Sequence, residues 1–254
     1  MTTIFNTLTR ESDKVISIVG AGGKTSLMFI LAHAFQEKGI QVVTTTTTHI
    51  LKPTSQQTGG VVLLNRDGFQ EKLEEGLKQY GHVTVASRLL SSGNKMQGLT
   101  CAQVEQMLDQ SSVERILIEA DGARQLSFKA PGDNEPVVPK IIDVFISVLG
   151  LDIIGKPLDD AHAFRAALVS ARTGLQMGAE ITALTVAKVA VHPEGMLKGC
   201  PKKARSYIVL NKTDIPGGRE KALSVMEAAN KLAGRKPNFW VSASIRENVC
   251  EIFG

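Results

Sequence analysis

Val15-Ile16-Ser17-Ile18-Val19-Gly20-Ala21-Gly22-Gly23-Lys24-Thr25-Ser26 is an apolar β-type run that ends in a glycine-rich turn, with Lys24 and Thr25 directly behind it. A helical pattern then opens at Leu27-Met28-Phe29-Ile30-Leu31-Ala32. Glycine lets backbone N–H groups converge on an oxyanion with no Cβ in the way. The helix behind the turn aims the positive end of its dipole at the same point. Lys24 adds a mobile cation, and Thr25 adds a hydroxyl suited to Mg²⁺. Strand, glycine turn and a helix starting at Gly-Lys-Thr are the parts of a nucleotide phosphate cradle, the P-loop, with Gly20, Ala21, Gly22, Gly23, Lys24, Thr25 and Ser26 as binding residues. The usual pattern has a glycine about five residues before the final Gly-Lys. Here that residue is Ile18, so the loop is expected to be shortened, or tightened through Gly20 and Gly22.

Outward from this segment, short apolar runs alternate with longer amphipathic ones. Residues 15–19 read as a strand and 25–37 as a helix closed by Lys38-Gly39. Strands are then expected at 40–45, 61–64, 82–86, 115–119, 142–149, 205–210 and 238–241. Helices are expected at 68–80, 100–109 with Thr100 as N-cap, 160–173, 181–191 and 219–232. Continuous apolar strands between helices predict an α/β, three-layer P-loop NTPase fold with a mostly parallel sheet. No repeat and no linker-like composition divides the chain, so residues 1–254 are expected to form a single P-loop nucleotide-binding domain. Residues 129–140, with three prolines, read as a long loop.

Composition limits the function. With 254 residues, 43% of them hydrophobic, the chain can bury a large core. No apolar run approaches the ~20 residues that span a bilayer. Residues 1–10 are polar and lack the apolar centre of a signal peptide, so a cytoplasmic location is expected. Cys101, Cys200 and Cys250 are isolated, which argues against a zinc site or a disulfide framework and for ordinary semi-buried residues. The net charge of +4 is mild and spread along the chain. It suits an anionic small ligand. A basic tail or a stripe of interleaved aromatics is missing, so nucleic acid is not an expected partner.

Two further motifs belong with the cradle. In Ile116-Leu117-Ile118-Glu119-Ala120-Asp121-Gly122 an apolar strand delivers carboxylates to the sheet's carboxyl edge, where Glu119 or Asp121 can hold Mg²⁺ beside Thr25. Glu119 to Gly122 also fits the Asp-x-x-Gly switch of GTPases, with glutamate in place of aspartate. Lys24, Glu119 and Asp121 are therefore the candidate catalytic residues. Leu210-Asn211-Lys212-Thr213-Asp214 follows another strand. An Asn-Lys-x-Asp loop there reads guanine: Asp214 accepts from the base's N1–H and N2–H₂, the Lys212 stem packs on the base, and Asn211 ties the loop to the P-loop side. Ser242 and Ala243, after Phe239-Trp240-Val241, are expected to offer a backbone N–H to guanine O6.

The run Val43-Thr44-Thr45-Thr46-Thr47-Thr48-His49 leaves the second strand at the same edge, with hydroxyls for phosphate or magnesium. Thr44 and Thr45 are equally well explained as a β-branched strand end, and a lone histidine in a loop, as His49 is read, is more often merely exposed. His162 and Arg165 stand three apart on the expected helix and would share a face. Arg165 can be a phosphate contact or a surface arginine.

Taken together these segments resemble a known family. Gly20-Ala21-Gly22-Gly23-Lys24-Thr25, the run ending Thr47-Thr48-His49, and Glu119-Ala120-Asp121-Gly122-Ala123 match in order. So do Lys129-Ala130-Pro131, Glu135-Pro136-Val137-Val138-Pro139, Gly150-Leu151-Asp152 and Leu210-Asn211-Lys212-Thr213-Asp214. The chain resembles the selenium-dependent hydroxylase accessory family, YqeC, from about Lys14 onward. At Ala161-His162-Ala163-Phe164-Arg165 it departs from the His-Arg pair expected there. The resemblance implies a P-loop fold near the metallochaperone-type GTPases and a role in maturing selenium-dependent molybdenum hydroxylases or their cofactor. The expected ligand is Mg²⁺ with GTP or ATP, the expected chemistry a slow nucleoside triphosphatase, and the expected partner a molybdenum hydroxylase or a cofactor-maturation protein. A small-molecule kinase, with residues 46–49 and Arg165 holding the acceptor, is the alternative, as is a non-catalytic nucleotide-binding module.

Overall fold

β-Branched apolar runs are stable as strands when both of their faces are covered, and the computed structural model builds its centre from such runs. It describes residues 2–91, 93–110 and 112–254; Met1, the first residue of the polar amino-terminal stretch, Ser92 and Ser111 lie outside the described residues. A ten-stranded sheet runs in the spatial order Thr2–Thr3, Val249–Phe253, Phe239–Ser244, Arg205–Asn211, Val144–Gly150, Val15–Gly20, Arg115–Glu119, Val42–Thr46, His82–Ala86, Val61–Leu63. All pairings are parallel except the two made by Val249–Phe253 at one edge. Parallel pairing carries every strand's carboxyl end to the same rim, where the motifs lie.

One face of the sheet, with Ile16, Ile18, Leu117, Ile146 and Val148, packs under the helix Lys24–Glu37 and the short helix Ile4–Leu8. The other face, with Val15, Val19, Ile116, Ile118, Phe145 and Leu149, packs under Phe69–Tyr80, Cys101–Met107, Ala166–Thr173, Ala183–Val191 and Gly218–Asn230. The fold is thus three-layered α/β of the P-loop NTPase type, with a mostly parallel sheet. Ile18 is fully buried and aligned with Glu119 and Ile146. A side chain of that size buries about 1.5–3 kcal/mol of apolar surface energy. The strand therefore continues through the position where a longer loop would place glycine.

Most expected elements fall within a few residues of the observed ones, and Thr100 caps its helix with a capping box shared with Gln103. The expected helix over 160–173 is the main departure. It begins only at Ala166, because the Asp159 side chain accepts the amides of Ala161 and His162, and Ala163–Phe164 pairs in parallel with Phe128–Lys129. His162 and Arg165 therefore do not share a helical face. His49 is also placed differently: it starts a strand, His49–Leu51, in a small antiparallel sheet with Lys95–Gln97 and Arg88–Leu89. The polar-looking amino terminus carries Ile4, Phe5 and Leu8 into the core. Residues 129–140 are tied down, Val137 bonding through its amide to Ala120 O and through its carbonyl to Thr47. The three cysteines form no disulfide, Cys200 and Cys250 lying buried and Cys101 partly so.

Candidate functional site

Strand Val15–Gly20 ends in a glycine with φ of 95°, and helix Lys24–Glu37 starts four residues later, so the loop is only residues 21–23. Gly22 and Gly23 have φ of 76° and 135°. Space makes the same demand as backbone conformation. A Cβ on Gly22 would lie 2.5 Å from the backbone N of Gly150 and 3.0 Å from the carbonyl of Ser127. The shortening changes which amides are available. Gly20 N–H donates to both Asp121 carboxylate oxygens (3.1 and 2.9 Å), Ala21 N–H to Val148 O (2.8 Å) and Gly22 N–H to Leu126 O (3.0 Å). Among the described residues the amides of Gly23, Lys24, Thr25 and Ser26 have no acceptor, as the first turn of a helix requires. Those four amides line a concavity whose donors suit an anion, and Gly20 and Ala21 shape it from behind.

Around the concavity stand a cation, a hydroxyl and two carboxylates. Lys24, 5% exposed, donates to Gly20 O at 2.8 Å and lies 3.3 Å from Asp121 and 3.5 Å from Glu119. Thr25 donates its hydroxyl to the other Glu119 oxygen at 2.6 Å. Register explains the meeting: Glu119 ends its strand opposite Ile18, so its side chain emerges beside the first turn of the next helix. Asp121 is 1% exposed and engaged on three sides, by Gly20 N–H, by Lys24 and by Lys129 at 2.9 Å. From Asp121 a row of alternating charge runs outward: Lys129 also reaches Glu135 at 2.7 Å, and Glu135 takes both Arg165 guanidinium nitrogens at 2.6 and 2.9 Å. Burial raises the Glu135 pKa, but the hydrogen bonds and charges of Arg165 and Lys129 outweigh it and hold the carboxyl at about 2.

The second loop meets the first through Asn211. Its amide nitrogen donates to Gly22 O at 2.7 Å, and its oxygen accepts from Ile245 N–H at 2.9 Å. Lys212 follows with φ of 73°, and its ammonium reaches Ser127 Oγ at 2.7 Å and Asp152 at 2.6 Å. Asp214 is exposed at the rim. Ser242 and Ala243 lie inside strand Phe239–Ser244, Ala243 aligned with Asn211, and the turn beyond them begins at Ile245. The threonine run is a bonding rail. Thr44 bonds Thr84 and His82, Thr45 donates to Val85 O, Thr46 to Glu119 O and Thr47 to Val137 O. His162 pairs with Asp159, away from the concavity's acids.

Several residues that shape the site were given no role by the sequence, although Gly150-Leu151-Asp152 is among the segments that carry the family resemblance. Ser127 and Asp152 receive Lys212, and Leu126 receives Gly22. The last contact is made by a backbone carbonyl, which any side chain leaves unannounced.

The YqeC protein family profile matches residues 16–167. An uncharacterised YqeC protein of Escherichia coli (strain K12) is 33% identical over 201 residues, which is 78% of this chain and 75% of that protein. Among solved structures, chloroplast FtsY from Physcomitrella patens aligns with 97% of this chain at 14% identity and a TM-score of 0.45. The signal recognition particle receptor FtsY from Elizabethkingia anophelis aligns with 95% at 15% identity and a TM-score of 0.40. The chain spans 64% and 61% of those two proteins, and likenesses this distant carry no argument about the site. The family profile covers more than half of the chain and the bacterial relative most of it, so the chain belongs to the YqeC family.

Proposed function

We propose that residues 1–254 form a single domain that binds a Mg²⁺–nucleoside triphosphate and hydrolyses it slowly, as an accessory protein in the maturation of selenium-dependent molybdenum hydroxylases or their cofactor. The observation that carries the reading is the group Lys24, Thr25 and Glu119 at the mouth of four amides without acceptors. In this reading the amides of residues 23–26 hold phosphate oxygens, and Lys24 exchanges Gly20 O for the β- and γ-phosphates. Thr25 and Glu119 fit a hard cation, since both present oxygen within one hydrogen bond of each other. Magnesium held there neutralises charge on the phosphates. Asp121 acts one step back, holding Gly20, Lys24 and Lys129 in place. The N–H of Gly122, at the end of the Asp-x-x-Gly-like segment, would contact the third phosphate, so its loss frees that segment, and the row from Lys129 to Arg165 conveys the change outward.

GTP is the preferred nucleotide in this proposal, and ATP the alternative. Asn211 braces the base loop against the P-loop, Lys212 stands beside it, and Asp214 remains solvent-accessible at the rim to take guanine's two donors. The kinase reading is weakened because Thr44 to Thr47 use their hydroxyls within the fold. No described helix is long and apolar enough to cross a membrane, and a cytoplasmic location is part of the proposal. Calorimetric titration with Mg²⁺-GTP and Mg²⁺-ATP tests the reading. Binding that Lys24→Ala abolishes supports it, and equal affinity of the two proteins refutes the cradle. The accessory role is tested in cells carrying Lys24→Ala: hydroxylase recovered with its full selenium content refutes it.

A further inference from the structure

Ala123 to Leu126 form a tight turn closed by Leu126 N–H to Ala123 O at 2.9 Å. Its two central residues, Arg124 and Gln125, have φ of 48° and 63°. Turns with two left-handed central residues ordinarily use Asn-Gly or Gly-Gly, because a Cβ is strained there. The strain is maintained by contacts on both sides. Leu126 O accepts Gly22 N–H from the P-loop, and Ser127 O accepts Gly150 N–H at 2.8 Å. Such strain concentrates where a side chain must be held in one place for function.

The side chain held here is Arg124. Every other cation of this neighbourhood has a carboxylate within 3.5 Å: Lys24, Lys129, Arg165 and Lys212. Among the described residues Arg124 has none. It is exposed, and its guanidinium lies 5.1 Å from the centre of the Phe164 ring. The same ring has Arg165 at 4.4 Å and Lys129 at 5.6 Å, so three cations stand around one aromatic ring; Arg165 is neutralised by Glu135 and Lys129 by Asp121 and Glu135, while Arg124 is not. Charge at this spot is unbalanced toward positive, two residues beyond Gly122 and on the turn that touches Gly22.

We propose that Arg124 contacts the terminal phosphate of the bound nucleotide and stabilises the charge that develops as it is transferred. This rests on the nucleotide reading above. In the step, a water oxygen bonds to the γ-phosphorus while the bond from that phosphorus to the β–γ bridging oxygen breaks. The products are nucleoside diphosphate and inorganic phosphate, and the water's proton passes to the phosphate. Arg124 presents a planar fork to the equatorial oxygens, which a lysine cannot copy.

The test compares wild type, Arg124→Ala, Arg124→Lys and Arg124→Gly by titration with Mg²⁺-GDP and a non-hydrolysable GTP analogue (and the adenine pair), and by phosphate release. Arg124→Ala is expected to keep diphosphate affinity within about twofold, to lose about tenfold in triphosphate affinity, and to lose about 10³-fold in turnover. Arg124→Lys is expected to recover affinity but not turnover. Arg124→Gly, which relieves the φ of 48°, is expected to melt above Arg124→Ala yet show the same loss of triphosphate preference, which separates charge from backbone strain. Equal effects on di- and triphosphate, or none on either, overturn the proposal while the nucleotide reading stands. If the wild-type protein binds no nucleotide, that reading fails and this one with it.

Discussion

Asn211 is the residue whose loss most directly tests how the two loops depend on each other. It is 5% exposed and makes two hydrogen bonds, a part-buried one to Gly22 O at 2.7 Å and a buried one from Ile245 N–H at 2.9 Å. Asn211→Ala leaves a carbonyl and an amide without partners, each at a cost of about 1–3 kcal/mol. Partial access of water to Gly22 lowers the sum to about 2–4 kcal/mol. For a chain of this size about 1 kcal/mol moves the melting temperature by roughly 2–4 °C, so a fall of about 5–15 °C is expected. Asn211→Asp sharpens the test. It keeps an acceptor for Ile245 but sets a carboxylate oxygen against the Gly22 carbonyl, so it is expected to destabilise at least as much as alanine and to weaken nucleotide binding further. Differential scanning calorimetry with and without Mg²⁺-GTP reads both effects. An Asn211→Ala protein melting within about 2 °C of wild type, with unchanged affinity, would refute the bracing argument.

Other outcomes follow from the same geometry. Gly22→Ala is expected to lose several kcal/mol and nucleotide binding together, since its Cβ meets Gly150 backbone at 2.5 Å and φ is 76°, and a folded, fully binding protein would contradict this. Glu119→Gln is expected to keep stability, because the amide oxygen still accepts from Thr25, while Mg²⁺ dependence and turnover fall; Asp121→Asn is expected to destabilise instead, because Lys24 and Lys129 lose a charge partner. Calorimetry and magnesium titrations distinguish the two variants. His82 is held neutral, its pKa lowered to about 4 by burial and then by the charge of His33. Its folded value lies below its unfolded 6.5, so stability is full above pH 6.5 and falls by about 1–3 kcal/mol as pH drops to 4. Urea melts across that range, flattened in His82→Phe, check this. Glu135, whose folded value of about 2 lies below 4.5, adds a loss as pH falls from 4.5 toward 2, and Glu135→Gln should remove that part of the profile.

The sheet was legible because its strands are continuous apolar runs, and the strands that sequence alone left out are those whose signal is weakest. Val249–Phe253 pairs antiparallel with Phe239–Ser244 through a turn in which Asn248, not glycine, takes φ of 54°. Phe128–Lys129 and Ala163–Phe164 are two-residue strands that no periodicity can reveal, and their pairing is what stops the helix at Ala166 from starting earlier. At the site, the residue types at the P-loop and after the Glu119 strand were readable because chemistry restricts them. Hydrogen-bond occupancy was not. Sequence spacing offered seven P-loop residues as equals, and only the fold separates the amides of Gly20, Ala21 and Gly22, engaged inside the protein, from those of residues 23–26. The threonines illustrate the same limit: hydroxyls at a sheet's carboxyl edge suggested ligands, and four of them bind neighbouring strands and loops.

The division of labour between Glu119 and Asp121 comes from charge and access. Two residues apart after the same strand, they looked interchangeable. Asp121 sits where a carboxylate must be compensated: 1% exposed, it has Lys24 at 3.3 Å, Lys129 at 2.9 Å and the Gly20 amide. A buried charge so surrounded is held rigidly, and removing one partner leaves the others uncompensated. Glu119 has a weaker hold, Lys24 at 3.5 Å and a neutral hydroxyl at 2.6 Å. A cation arriving at Glu119 displaces little, whereas one arriving at Asp121 must break the contact that ends the P-loop strand. In the proposed function, then, the inner carboxylate fixes the loop, and the outer one is left to take the ion. Because Lys129 binds Asp121 and Glu135 at once, any movement of the loop pulls on Arg165, whose left-handed backbone starts the helix Ala166–Thr173. The row of charges thus runs from the turn after Val15–Gly20 to a helix on the opposite face of the sheet from the one that carries Lys24, and in the proposed function it ties that helix to the state of the nucleotide.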